Sequence, residues 1–358
     1  MKLMVYADPH WSVTSSIVRS RGEKYSTRLE NLIKSVQWVE DTANDRNCDA
    51  VVCLGDFFDT AQLSSEEITA LGDIRWSYCP HYFITGNHEM GRGDLAFSSS
   101  KIFDLCVNGC VIDSVTEIPI YTQRDTKIVC IPYILEKNRK PLKEYLSEIN
   151  GLETCENVII FSHNDIKDIQ MGAFKSTEGF SIEEIKDNCN LFVNGHLHNG
   201  GVVAPGVINL GNLTGQNFSE DGYKYEHTAM YIDTITHEVE WIVNPHALNF
   251  YKVDLSTYTE ENDASIMCEL SMLRFPAVAS IKVHPSNELF VKDLLSTMDN
   301  IIESRVTLDM SSVTHSTEDT IVRVDSDHIN KFIEFVHTNL ECTDIIIEEL
   351  NKIGGVAS

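Results

Sequence analysis

His81-Tyr82-Phe83-Ile84-Thr85 runs directly into Gly86-Asn87-His88-Glu89. An extended apolar run stops at a glycine, which lets the backbone turn sharply where a strand ends. Asn87 then offers a neutral oxygen, and His88 offers a proton or a proton acceptor. Alone, this tetrapeptide is ordinary loop chemistry. Its weight comes from four further stretches of the same layout: Asp8-Pro9-His10, Gly55-Asp56-Phe57-Phe58-Asp59, Ser162-His163 and Gly195-His196-Leu197-His198.

Each of these stretches begins where an apolar run stops. Residues 2–7 read as a buried strand that delivers Asp8 and His10 at its end. From Ser26, a plausible N-cap, Leu29, Leu32, Ile33, Val36 and Val39 follow helical spacing. Ala50 to Leu54 is a second buried strand, and a helix from about Ser65 to Trp76 leads to the strand before Gly86. Val111-Ile112, Ile118-Pro119-Ile120, Lys127 to Ile131, Val158 to Phe161 and Leu191-Phe192-Val193 read as further strands, and strands alternate with turns through about Val243. Strand–helix alternation followed by strands predicts an α/β fold in which two sheets pack face to face between helices. In such sheets the carboxyl ends of the strands border the ligand crevice. One crevice would therefore collect residues from five distant parts of the chain.

Near residue 245 the character changes. Asn244-Pro245-His246 and Glu260-Glu261-Asn262-Asp263 read as a linker region. A strand from Ala277 to Val283, a helix from Glu288 to Met298, and strands at Val306-Thr307-Leu308 and Thr320 to Val324 read as a small α+β domain. Residues 328–351 are amphipathic, with Ile329, Phe332, Ile333 and Val336 on one face. Such a face packs on its own domain or is offered to a partner. The expected division is a catalytic domain over residues 1–250, a second domain over 251–325 and a helical segment over 326–358.

The chain carries 28 basic and 54 acidic side chains, a formal charge of −26. Whole-protein attraction to nucleic acid or to an anionic membrane is not expected from that balance. A polyanionic substrate would need metal ions, local basic loops or a partner subunit. No run of roughly 18 apolar residues exists, so no transmembrane helix and no membrane partner are expected. The ten cysteines are scattered without a Cys-x-x-Cys pair, which suits a reducing, cytoplasmic location.

Asp8, Asp56 and Asn87 supply hard oxygens, and His10, His163, His196 and His198 supply borderline nitrogens. That mixture suits Mn²⁺, Fe²⁺ or Zn²⁺ better than a calcium cage or a thiolate site. Seven ligands are too many for one ion but fit two that share a carboxylate. Two ions ~3.5–4 Å apart suit in-line displacement at phosphorus by a water they activate. His88 remains to donate a proton to the leaving oxygen or to stabilise charge there. Asp59 remains to accept from the other ring nitrogen and fix the tautomer. The other histidines, such as His81, His227, His246 and His284, lack this context and read as structural.

The ordered set resembles the calcineurin-like metallophosphoesterase superfamily over residues 1 to about 245. The resemblance implies a four-layer α/β/β/α sandwich with a small α+β capping domain. It also implies two divalent ions, Mn²⁺ foremost, with Fe²⁺, Zn²⁺ or Mg²⁺ as alternatives. One ion would be held by Asp8, His10, Asp56 and His198, the other by Asp56, Asn87, His163 and His196. His88 matches the family's catalytic histidine and Asp59 its orienting partner.

Within the superfamily, Thr60 stands where phosphoprotein phosphatases carry Arg, although Glu89 matches their form of the Gly-Asn-His motif. His196-x-His198, the Phe57-Phe58-Asp59 spacing and Ile131-Pro132-Tyr133 are more similar to SbcD-type DNA nucleases. That likeness implies metal-dependent exo- or endonuclease activity in DNA repair and recombination. It also implies a homodimer with an SMC-like ATPase partner of the SbcC type. Arg19, Arg21, Lys24, Arg92, Lys137, Arg139 and Lys140 are the candidate DNA contacts, or else solvated cations on an acidic surface. The alternatives are a phosphomonoesterase or cyclic-nucleotide-type phosphodiesterase, and a non-catalytic scaffold for the ATPase.

Overall fold

Leu3 and Val5 project to one side of strand Lys2–Tyr6, Met4 and Tyr6 to the other, and all four are fully buried. A strand buried on both faces needs a covering layer on each. In the computed structural model, which describes residues 1–15, 22–106, 108–120, 123, 125–171, 174–259 and 262–310, this strand lies inside one of two six-stranded sheets. The first sheet runs in the order Glu238–Val243, Thr228–Asp233, Lys2–Tyr6, Ala50–Cys53, His81–Ile84, Gly109–Ile112. The second runs Gly201–Ala204, Val207–Asn209, Leu191–Asn194, Asn157–Ser162, Thr126–Ile131, Thr116–Ile118.

Leu3, Val5, Val52 and Ile84 of the first sheet share one buried cluster with Cys130, Phe161, Val193 and Ile208 of the second. The outer face of the first sheet, with Met4, Tyr6 and Val51, lies under Leu29, Leu32, Val36 and Val39 of helix Thr27–Asp45. Ser26 caps that helix by accepting from Leu29 N at 3.1 Å. The outer face of the second sheet, with Val129, Ile160 and Phe192, packs on Leu142, Leu146 and Ile185. The result is the expected α/β/β/α sandwich. Each fully buried aliphatic side chain contributes roughly 1.5–3 kcal/mol.

Strands Lys2–Tyr6, Ala50–Cys53 and His81–Ile84 are parallel. So are Thr126–Ile131, Asn157–Ser162 and Leu191–Asn194. Their carboxyl ends therefore carry Asp8, Asp56, Asn87, His163 and His196 to one edge of the sandwich. Helix Ser65–Leu71 ends at Gly72 and does not continue to Trp76. His81 is buried and pairs with Glu40 at 3.0 Å, a structural role.

Residues 244–246 are not a loose linker. Asn244 is buried and donates to Leu213 O at 2.9 Å, and the His246 carbonyl accepts from Asn31. A strand that the sequence reading passed over, Asn249–Leu255, starts at once. It pairs in parallel with Ala277–Val283, which pairs in parallel with Ile301–Leu308. Helices Asp263–Ser271 and Glu288–Leu295 cover this sheet, with Val253, Leu270, Ile281 and Val291 in its core. Strands and helices alternate here instead of segregating. The expected strand Thr320 to Val324, the amphipathic stretch 328–351 and the boundary at 325/326 lie outside the described residues. Among the described residues no helix is long and apolar enough to cross a membrane.

Candidate metal centre

Beyond the sheet, the first two loops bond to each other. Asp8 N donates to Gly55 O and His10 N to Asp56 O, both at 3.1 Å. Arg28, fully buried at the start of its helix, donates to Pro9 O at 3.0 Å and to Gly215 O at 2.7 Å. Burial lowers its pKa to about 10, and the carbonyls replace its lost water. Asp8, His10, Asp56 and His196 all adopt positive φ, at 49°, 52°, 47° and 72°. For L-residues that region costs on the order of 1–2 kcal/mol each, and such strain clusters at functional sites.

Glycine is required at two positions. A Cβ at Gly86 would lie 2.1 Å from Asp56 Oδ1, and one at Gly55, whose φ is +108°, would lie 2.3 Å from His163 Nδ1. Glu89 is a buried brace that accepts from Gly86 N at 2.8 Å and Phe58 N at 3.2 Å. Burial, then the Asp56 carboxylate, raises its pKa to about 7.

Each of the four expected ligand imidazoles has one nitrogen engaged by a protein acceptor. His10 Nδ1 donates to Asp59 Oδ1 at 3.0 Å, His198 Nδ1 to Glu220 Oε1 at 3.1 Å, and His163 Nδ1 to Leu54 O at 2.7 Å. His196 Nε2 lies 3.4 Å from Asp165 Oδ1. The other nitrogens turn toward one another and toward Asp56 and Asn87. His10 Nε2 and His198 Nε2 face each other at 3.0 Å. His163 Nε2 faces Asp56 Oδ2 at 3.1 Å and Asn87 Oδ1 at 3.2 Å. Nitrogen and oxygen donors converging at these distances need positive charge among them, whether a proton on His163 in the metal-free protein or a divalent ion, so this donor set fits divalent metal. Three groups have ligand atoms within 4.8 Å of one another: Asp8–His10–His198, His10–Asp56–His88 and Asp56–His163–His196. Asp8 also accepts the His196 main-chain N–H on both oxygens at 3.0 Å.

His88 donates from Nδ1 to the Asp59 carbonyl at 3.0 Å, and its Nε2 has no hydrogen-bond partner among the described residues. The Asp59 side chain raises the His88 pKa to about 9 against partial burial. That carboxylate is nonetheless 3.5 Å from His88 Nδ1 and closer to His10. The sequence reading gave Asp59 to His88 alone; here its carboxylate steers His10 and its carbonyl steers His88. Gln216, Glu220, Asp165 and Arg28 were not found from sequence. Gln216, Glu220 and Arg28 follow no apolar run in the pattern that marked the others, whereas Asp165 lies two residues beyond His163 at the end of such a run and could have been found there.

The expected DNA-contacting cations fare unevenly. Arg19 and Arg21 lie outside the described residues. Lys24 is exposed and paired with Asp73 at 2.8 Å. Arg139 is corrected to a structural role. Its side chain is 8% exposed, and its guanidinium bonds Glu136, Asn164 and the Ile134 carbonyl and lies over the Phe180 ring. Lys137 and Lys140 are exposed. Arg92 is exposed beside Phe97 and makes no ion pair among the described residues.

A family model for calcineurin-like phosphoesterases matches residues 1–200, more than half of the 358-residue chain. The protein belongs to the calcineurin-like phosphoesterase family, whose members hydrolyse phosphoesters and hold two divalent metals. Curated proteins gave no match. Among solved structures, TT1561 of Thermus thermophilus is 9% identical, with 68% of this chain and 98% of that chain covered and a TM-score of 0.40. A dimetal phosphatase from Danio rerio is 14% identical, with 68% and 99% covered and a TM-score of 0.37. The calcineurin-like phosphoesterase YfkN from Bacillus subtilis is 10% identical, with 68% and 88% covered and a TM-score of 0.37.

Proposed function

We propose that this protein is a metal-dependent DNA nuclease, the nuclease subunit of an SbcCD-like repair or recombination complex. The observation that supports this reading is a pair of open grooves, one lined by residues that follow Asp59 and Glu89 and one lined by His196 and His198. One, of about 910 Å³, is lined by Thr60, Met90, Arg92, Phe97 and Lys101. The other, of about 750 Å³, is lined by His196, His198, Asn199 and Tyr225. A polymer that continues on both sides of its reacting phosphate needs such a surface, and a small monoester does not. Arg92 and the exposed Phe97 offer a phosphate contact and a stacking face.

In this proposal Asp8, His10, Asp56 and His198 hold one ion, and Asp56, Asn87, His163 and His196 hold the other. The mixed oxygen and nitrogen donors suit Mn²⁺, Fe²⁺ or Zn²⁺, and Mn²⁺ is put first by the likeness to SbcD-type nucleases. When bound, the pair supplies Lewis-acid activation of phosphate and water. His88, protonated through Asp59, holds a proton for the leaving oxygen. Residues 251–325 serve as a capping domain, and the 326–358 segment binds an SbcC-type ATPase within a homodimeric nuclease. The charge of −26, the Glu89 of the Gly-Asn-His motif and the engagement of Lys24 and Arg139 within the protein favour a smaller phosphoester as substrate.

An assay with Mn²⁺ on linear DNA, circular single strands and a generic phosphodiester separates the readings. DNA cleavage that disappears in His88→Ala is the expected result. Cleavage of the small ester alone would replace the nuclease with a phosphodiesterase.

A further inference from the structure

The loop between strands Val207–Asn209 and Thr228–Asp233 contributes none of the expected ligands, yet it supplies Glu220 behind His198 and reaches Asp59 behind His10. Gln216 Nε2 donates to Asp59 Oδ1 at 2.8 Å, on the oxygen that also accepts from His10 Nδ1. The main-chain N–H of Gln216 donates to Glu220 Oε2 at 2.9 Å, while Glu220 Oε1 accepts from His198 Nδ1. The path Asp59–Gln216–Glu220 therefore spans from the back of one imidazole to the back of the other.

The burial of these groups makes the path more than a surface network. The Glu220 side chain is 4% exposed, so its charge depends on His198 and the Gln216 N–H. The Asp59 side chain is 28% exposed and lies within 3.5 Å of His88. The second donor on Oδ1, Gln216 Nε2, holds that oxygen beside His10. The loop itself is fixed by Arg28 on Gly215 O, and by Gly215 N and Gly222 N donating to Leu248 O at 2.9 Å and Phe250 O at 3.1 Å.

We propose that Gln216 and Glu220 are positioning residues for the metal shared by His10 and His198. They fix both rings in the Nδ1–H tautomer with Nε2 turned to the ion. This rests on the assignment of His10 and His198 as ligands. Removing a partner behind a ligating histidine weakens metal binding about 10–100-fold.

The test titrates metal-free full-length protein with Mn²⁺, comparing wild type with Glu220→Leu, Gln216→Leu and the conservative Glu220→Gln. Two sites in wild type, with one weakened about 10–100-fold in Glu220→Leu, is the expected result. Gln216→Leu should weaken the same site, and Glu220→Gln should fall between wild type and Glu220→Leu. In ¹⁵N spectra of the imidazoles, His198 should lose its pure Nδ1–H signature in Glu220→Leu. If Glu220→Leu does not fold, the half-buried Gln216 variant decides. Two wild-type affinities in both leucine variants would overturn the proposal. So would equal loss at both sites with a lower melting temperature of the metal-free protein, since that marks a merely structural role. Wild type that binds no metal would remove the ligand assignment and this inference together.

Discussion

His10 and His198 stand 188 positions apart in the chain, yet their Nε2 atoms meet at 3.0 Å, where two neutral rings that donate from Nδ1 have no proton to share. Each has its proton committed to a carboxylate behind it. The folded chain thus holds two lone pairs in opposition, and a cation between them relieves the repulsion. Metal should therefore raise thermal stability. At a hundredfold excess over Kd, one site contributes about 2.7 kcal/mol. Melting curves with Mn²⁺ and with chelator should differ by several degrees, and coincident curves would count against the centre.

Gly55→Ala and Gly86→Ala should damage metal binding more than the fold. The new methyl group would meet His163 Nδ1 in the first case and Asp56 Oδ1 in the second. Gly55→Ala also places alanine at a φ of +108°, a strain of about 1–3 kcal/mol. Each variant should bind less than two equivalents of metal while circular dichroism stays near wild type. Full metal content would show that the loops relax freely.

His88→Ala should bind metal normally and turn over poorly. His88 touches the centre through its main-chain N–H to Asp56 Oδ1 at 2.9 Å, which alanine keeps. Loss of a positioned proton donor lowers kcat by roughly 10²–10⁴-fold. Metal stoichiometry measured alongside kcat on any cleavable phosphoester separates the two effects.

Metal loading should release protons. In the metal-free protein burial lowers the His163 pKa, but Asp56 and then Asp8 reverse this and raise it to about 9. At neutral pH an incoming ion must displace that proton. Apparent affinity should climb with pH and level off above about 9. The folded value exceeds the unfolded one of about 6.5. Protonated His163 therefore stabilises the metal-free protein fully below pH 6.5, and that contribution is lost as pH rises through 9. Calorimetry in buffers of different ionisation enthalpy counts the protons, and zero release would contradict the pairing.

Glu89→Gln should cost stability without abolishing the fold. Gln accepts from only one of the Gly86 and Phe58 N–H groups and turns its amide toward the other. One buried donor left unpaired costs roughly 1–3 kcal/mol. Denaturant titration of the metal-free variant measures it directly.

The sandwich was legible because its strands are short, doubly buried apolar runs such as Val51-Val52-Cys53, each ending at a polar motif. Asp8, His10, Asp56, His163, His196 and His198, which the structure gathers into groups that could hold metal, could be singled out for the same reason. Strand Asn249–Leu255 was missed because it is no continuous apolar run: exposed Lys252 and Asp254 alternate with buried Tyr251, Val253 and Leu255, and Pro245 stands just upstream. The supports behind the ligands were invisible for a different reason. Glu220 and Gln216 sit in a polar loop, and Arg28 looks like any solvated helix cation until the fold closes over it. Only tertiary contact distinguishes a brace from a surface charge.

The main-chain bonds from Gly215 and Gly222 to Leu248 and Phe250 bear on how the molecule can be dissected. A cut at 250/251, where composition invites one, would pass through the middle of Asn249–Leu255. It would leave the outer wall of the histidine cluster hanging from a frayed terminus. A minimal fragment that keeps this wall intact extends past Leu308, so that all three strands of the small sheet stay with the histidines they help to hold.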